Sequence, residues 1–239
     1  MKKTVALISF LIVCSFICPS VASAQLLNTV VALTGNVFDA VTHDPVTAFI
    51  TVKDDTGDKI SATRSNAYEK GYYYVTGLRP GKKYTILLNK PDYFKEKFEL
   101  SVANTDKYVE ISKDFLMKPL QKGIQIPFPV PPFELNKTKL RYGGEELLVD
   151  FKNALVNNPN VKFQILCYPD KADNPQENEK ITQERCKSIM AYFAANGVDV
   201  SRISILGSAK TDPKDPPPTK TKAKGKKYIG KTYIVVSEF

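Results

Sequence analysis

Residues 161–197, VKFQILCYPDKADNPQENEKITQERCKSIMAYFAANG, decide how the C-terminal half of this 239-residue chain is read. The stretch opens on an alternation, with Val161, Phe163, Ile165 and Cys167 on one side. A period of two is that of a strand with one buried face. From Thr182 the period becomes helical, with an apolar stripe of Cys186, Ile189, Met190 and Phe193. Thr182 is the expected N-cap, Glu184 suits the first turn, and Gly197 ends the helix. Asp170 then stands at the exit of the strand. Arg185 stands in the first helical turn, at the same end of the two elements.

Two readings of Asp170 and Arg185 are open. One is a plain surface ion pair, worth about 0–1 kcal/mol. The other is a site for a zwitterion. The guanidinium and the helix N-terminal amides would take a carboxylate, and the aspartate an ammonium.

Outward from this stretch, GGEELLVDFKNALVNNPN (143–160) places Leu147, Leu148, Phe151 and Leu155 on one helical stripe that ends at Asn158-Pro159. RISILG and KTYIVVSEF are further strands, and the alternation of Phe133 and Leu135 starts the first one. Residues 133–239 therefore read as β-α-β-α-β with a closing strand, two helices layered on a mixed sheet.

Residues 32–118 show no helical period. Short runs such as ALTGNVFDA, TAFITVKD, GYYYVTGL, KYTILLNK, EKFELSV and YVEISKDFLM are rich in β-branched and aromatic residues. DDTGD, RPGKK and KPDY separate them as turns. This is the pattern of a small all-β sandwich. DDTGD lacks the ligand spacing of a calcium loop and reads as a solvated hairpin. Between the two regions, residues 119–132 hold Pro127, Pro129, Pro131 and Pro132, an extended and semi-rigid connector.

The first 24 residues carry MKK, an apolar run and ASA, the layout of a cleaved signal peptide, followed by a segment 25–31. No later stretch is long and apolar enough to span a bilayer. Cleavage would remove Lys2 and Lys3 and take the formal charge from +9 to +7. It would leave two of four cysteines, Cys167 and Cys186. In an oxidising compartment that pair is expected to form a disulfide between strand and helix. Such a bridge closes a loop of about twenty residues and is worth about 3 kcal/mol. Export makes nucleic acid an improbable partner, and a basic exported chain suits anionic envelope polymers. The stretch from Lys210 to Lys231 holds eight lysines and four prolines and reads as a long solvated loop. Catalysis is poorly supported. The one histidine, His43, sits in a turn before Pro45, and no nucleophile has a base beside it. Neither a metal nor a cofactor is implied.

Two resemblances sharpen these readings. TGNVFDAVTHDPVTAFITVKD and GYYYVTGLRPGKKYTILLNKPDY (residues 34–54 and 71–93) resemble the carboxypeptidase regulatory-like, transthyretin-like domain, a non-catalytic β-sandwich. CYPD, NEKITQERC and YFAANGVDVSRISILG, within about residues 128–239, resemble the OmpA-like C-terminal domain, which binds peptidoglycan. That resemblance implies that Asp170 takes the ammonium and Arg185 the carboxylate of diaminopimelate. Asn178 and Thr182 would shape the pocket and Lys231 would add charge at its rim. Cys167, Tyr168 and Pro169 replace the family's Gly-His-Thr. Ile229, Gly230, Lys231 and Thr232 replace its Asn-Arg-Arg-Val. The expectation is a non-enzymatic periplasmic protein, peripheral to the outer membrane, that docks on peptidoglycan and engages an envelope protein through its sandwich. The alternative is a structural scaffold of an envelope or secretion assembly whose pocket has drifted.

Overall fold

The computed structural model describes residues 30–218 and 227–239. The signal-peptide reading (1–24) and part of the lysine-rich loop lie outside the described residues.

The N-terminal region is all β. Strands β1 (Val31–Asp39), β4 (Tyr72–Leu78), β7 (Val109–Ser112) and β8 (Phe115–Met117) form one sheet. Strands β2 (Phe49–Lys53), β3 (Lys59–Arg64), β5 (Lys83–Asn89) and β6 (Glu96–Ser101) form the other, in the order β3-β2-β5-β6. Alternation explains the packing. Tyr73, Val75, Tyr84, Ile86 and Leu88 point inward and join Val31, Leu33, Ile50 and Phe115 in one buried cluster. The run YVEISKDFLM divides into two strands, both parallel to β1, and its break lies at Lys113-Asp114. Strand β3, KISATR, is absent from the sequence-based strands. It is an exposed edge with no buried residue, so it carries no apolar alternation. His43 is exposed in a turn with φ 61°, and DDTGD closes the β2–β3 hairpin.

The C-terminal region is a four-stranded sheet with two helices. The strand order is β11 (Ile203–Gly207), β10 (Lys162–Cys167), β12 (Thr232–Glu238), β9 (Gln125–Pro127). Strands β10 and β11 are parallel, and the other neighbours are antiparallel. Helices α1 (Val149–Asn157) and α2 (Pro175–Ala195) bury Phe151, Leu155, Cys186, Ile189 and Phe193 against Phe163, Ile165 and Cys167. Gly197, at φ 85°, takes the chain out of α2 in a left-handed turn.

Three expectations need correction. First, the opening strand of this sheet does not begin at Phe133. It lies inside the proline-rich connector, as β9, and Phe133–Leu140 is a loop closed by a single bridge. Proline is tolerated because β9 is an edge strand and Pro127 is its last residue. Second, the connector is no spacer: Ile126 and Phe128 are buried in the C-terminal core, and so is Phe94, from the loop after β5. Third, α2 begins at Pro175, not at Thr182. The Asn174 side chain accepts from Glu177 N, and Pro175 fits the first turn, where its missing N–H costs nothing. Arg185 therefore lies deep in the helix, and no helix N-terminus stands beside it.

Candidate functional site

The extension of α2 sets the site. Asn178, Thr182, Arg185 and Cys186 recur at three- and four-residue intervals, so one buried face of the helix carries them all. Arg185 is fully buried and Asp170 nearly so. They meet in a bidentate pair: Nη1 donates to Oδ1 and Nη2 to Oδ2, each at 2.7 Å. The planar fork of arginine matches a carboxylate in this way. The pair is thus not the exposed contact that the surface reading supposed.

Backbone groups fill four further positions around it. Asn136 N donates to Asp170 Oδ2 and Gly230 N to Oδ1, both at 2.8 Å. Arg185 Nε donates to the Lys137 carbonyl at 2.9 Å and Nη2 to the Glu134 carbonyl at 3.1 Å. The guanidinium also stands 5.1 Å above the ring of buried Phe133. Burial pushes the Asp170 carboxyl up. The hydrogen bonds from Arg185, Asn136 and Gly230 and the arginine charge outweigh burial and hold it below its ordinary value of 3.8.

One segment, residues 134–137, supplies three of these four backbone contacts. Asn136 makes its contact from a left-handed φ of 56°, a conformation asparagine tolerates better than most residues. The fourth contact needs a glycine. A Cβ on Gly230 would lie 2.0 Å from the Tyr168 carbonyl oxygen and 2.6 Å from that of Pro169. Sequence reading marked Ile229–Thr232 as a departure from the family pattern, and here Gly230 is what lets the backbone reach Asp170.

The other expected residues divide. The Asn178 amide donates to the carbonyls of Lys171 (2.9 Å) and Ala209 (3.3 Å), and so ties the loops after β10 and β11 together. The Thr182 hydroxyl sits among the carbonyls of Asn178 and Ser208, at 2.9 and 3.0 Å. Both brace the wall of the site and neither touches the pair. The ammonium of Lys231 is drawn off to Asp215, 3.3 Å away. Its carbonyl accepts from Tyr168 N. Phe133, Glu134, Asn136, Lys137 and Gly230 were missed by sequence reading. The asparagine in LNK was the one available signal of a turn.

The expected disulfide is not formed. Cys167 and Cys186 are buried free thiols. Cys186 Sγ stands 3.3 Å from the Ile165 carbonyl, and the Thr232 hydroxyl donates to Cys167 Sγ at 3.8 Å. Burial, then the neighbouring Cys186 thiol, pushes the Cys167 thiol well up. Each sulfur thus has a local polar partner and packs as a small apolar group. Among the described residues no group of three or more His, Cys, Asp or Glu is placed to hold a metal. No helix of the described residues is long and apolar enough to cross a membrane.

Comparison with known proteins bears on this region. Residues 132–226 match the OmpA family. The C-terminal region is OmpA-like. Outer membrane protein A of Klebsiella aerogenes is 30% identical over 83 residues, which is 34% of this chain and 24% of that protein. Outer membrane protein A of Buchnera aphidicola subsp. Schizaphis graminum is 26% identical over 102 residues, 42% of this chain and 27% of that protein. The chain thus spans about a quarter of the length of these relatives. Among solved structures, a putative MotB-like protein from Desulfovibrio vulgaris aligns over 48% of this chain and 74% of its own, at 18% identity and TM-score 0.37.

Proposed function

We propose that the chain is a non-enzymatic protein of the bacterial cell envelope whose OmpA-like domain docks non-covalently on peptidoglycan. Asp170 takes the ammonium and Arg185 the carboxylate of diaminopimelate in the wall peptide. One observation carries this reading. The segment 134–137 offers Asp170 an N–H donor and offers Arg185 two carbonyl acceptors, the polarity that the ammonium and carboxylate of a zwitterion would offer. A ligand would take over these contacts as the segment moves aside. Asn178 and Thr182 keep the wall of the pocket in place, and Lys231 would add charge at the rim only on leaving Asp215. The OmpA-family match and the relatives named outer membrane protein A support an envelope location. A cleaved signal peptide would deliver the chain to the periplasm beside the outer membrane. The N-terminal β region, read as a carboxypeptidase regulatory-like sandwich, would serve an envelope partner or hold the wall-binding domain at a distance.

A second reading has its own observation. The Asp170–Arg185 pair is buried and satisfied, so it also serves a scaffold whose pocket stays shut. Sedimentation of residues 25–239 with purified peptidoglycan separates the two, run beside Asp170→Asn and Arg185→Lys. Circular dichroism would confirm that both variants are folded. Under the wall-binding reading the wild type sediments, free diaminopimelate competes it off, and both folded variants stay in solution. If the folded variants sediment like the wild type, the pair is structural and the scaffold reading stands.

A further inference from the structure

The segment that closes the pair has a second face. Glu134 and the run Asn136–Tyr142 line an open cavity of about 440 Å³. Its lining carries three cations, Lys137, Lys139 and Arg141, against one acid, Glu134. None of the three cations forms an ion pair among the described residues. Arg141 adds an independent sign. Its Nε is buried and is the one buried side-chain nitrogen or oxygen of the described residues without a hydrogen-bond partner. A buried guanidinium N–H without an acceptor is unfavourable, and native structures hold few such groups. Beside the cavity, Tyr142 stands free of the surface, 104% exposed.

We propose that this cavity is a binding site for the carboxylates of an acidic peptide, separate from the Asp170–Arg185 pair. Arg141 gives the bidentate contact, while Lys137 and Lys139 act as looser point charges. Carboxylate suits the site because the guanidinium fork reads a planar pair of oxygens. In assigning the peptide to the cell wall the proposal rests on the wall-binding reading above. The stem peptide that presents diaminopimelate to Asp170 and Arg185 carries further free carboxylates. The backbone of Glu134 and Lys137 contacts Arg185 while their residues line the cavity, so one peptide reaches both. Occupying the cavity pulls on the segment that shuts the pair.

The test uses residues 25–239 and the double variant Lys139→Ala/Arg141→Ala, which leaves every contact of Asp170 and Arg185 in place. Four probes are titrated, each followed by calorimetry and by the backbone amide shifts of residues 134–142: a short oligoglutamate, a soluble muropeptide, the same muropeptide with its carboxyls amidated, and inorganic phosphate. Oligoglutamate should shift the 134–142 amides of the wild type and not of the double variant. The muropeptide should bind the double variant about tenfold more weakly, a loss of about 1.4 kcal/mol. Amidation should weaken both, because it also removes the carboxylate that Arg185 takes, and it should weaken the wild type more than the double variant, which has no cavity contact left to lose. A wild type that responds to oligoglutamate but not to muropeptide keeps the carboxylate site and overturns its assignment to the wall. Equal behaviour of wild type and double variant with oligoglutamate overturns the site. Response to inorganic phosphate at concentrations where oligoglutamate has no effect overturns the carboxylate class.

Discussion

Asp170–Arg185 and Glu96–Lys118 are the two buried ion pairs among the described residues. The first sits between β10 and α2. The second sits where β6 and the end of β8 meet α1. Both cations lie over a phenylalanine ring, Arg185 at 5.1 Å from Phe133 and Lys118 at 5.2 Å from Phe151. Both carboxylates lose most of their water, yet they move in opposite directions. Asp170 ends below its ordinary value because two guanidinium nitrogens and two backbone amides face its two oxygens. Glu96 ends above its ordinary value because burial outweighs the charge and hydrogen bonds of Lys118. Burial sets the penalty, and the number and aim of the donors decide whether it is met.

The sharpest way to break this comparison is to make each pair apolar. Asp170→Leu with Arg185→Met removes the partners of the Asn136 and Gly230 amides and of the Lys137 carbonyl. The expected loss is about 3 kcal/mol or more, since each unsatisfied buried group costs about 1–3 kcal/mol. Glu96→Leu with Lys118→Met touches fewer contacts, and replacing a buried pair whole by apolar side chains is often neutral or stabilising. Its expected change is within about 1 kcal/mol. Urea unfolding of both double variants checks the contrast, and equal losses would show that both pairs hold backbone in place.

A smaller effect appears on titration. Asp170 has a folded pKa below its unfolded one. Its contribution is present above pH 3.8 and is lost as pH falls through the lower folded value. Asp170→Asn should therefore differ from the wild type most near neutrality, and the difference should shrink in acid. Glu96 has a raised folded pKa. Its contribution is present below pH 4.5 and is lost as pH rises through the higher folded value. Glu96→Gln should therefore gain on the wild type as pH rises. Urea midpoints taken from about pH 3 to pH 8 should trend in opposite senses for the two variants. Parallel trends would mean that the two carboxylates sit in equivalent surroundings.

The same contrast explains what the sequence made legible. Alternation at Val161–Cys167 and in GYYYVTGL reports a buried face directly, so β10 and β4 were readable. KISATR lies on an exposed edge and has no such signal. The proline-rich stretch was read from composition, yet edge pairing with β12 overrode it. Thr182 was read as a cap because it precedes an apolar stripe. Asn174-Pro175 is the stronger start signal, and the polar turns between them hide the helix because their buried groups are Asn178 and Thr182, not apolar side chains. Asp170 and Arg185 were legible as charges at one end of two elements. What meets them was not, because an amide of Asn136, carbonyls of Glu134 and Lys137 and an amide of Gly230 are backbone groups, which carry no residue code.

The smallest expected effect comes from a third pair, Lys162–Glu238, joined across β10 and β12 at 2.7 Å. That is the distance found between Asp170 and Arg185, but both side chains are more than half exposed. Water solvates both charges whether or not they touch, and holding two long side chains together costs rotamer freedom. Glu238→Gln should move the urea midpoint by less than the scatter between repeats, and any shift should vanish at high salt. A loss that survives high salt and approaches that of the Asp170–Arg185 replacement would mean that distance, not desolvation and donor count, sets the worth of these pairs.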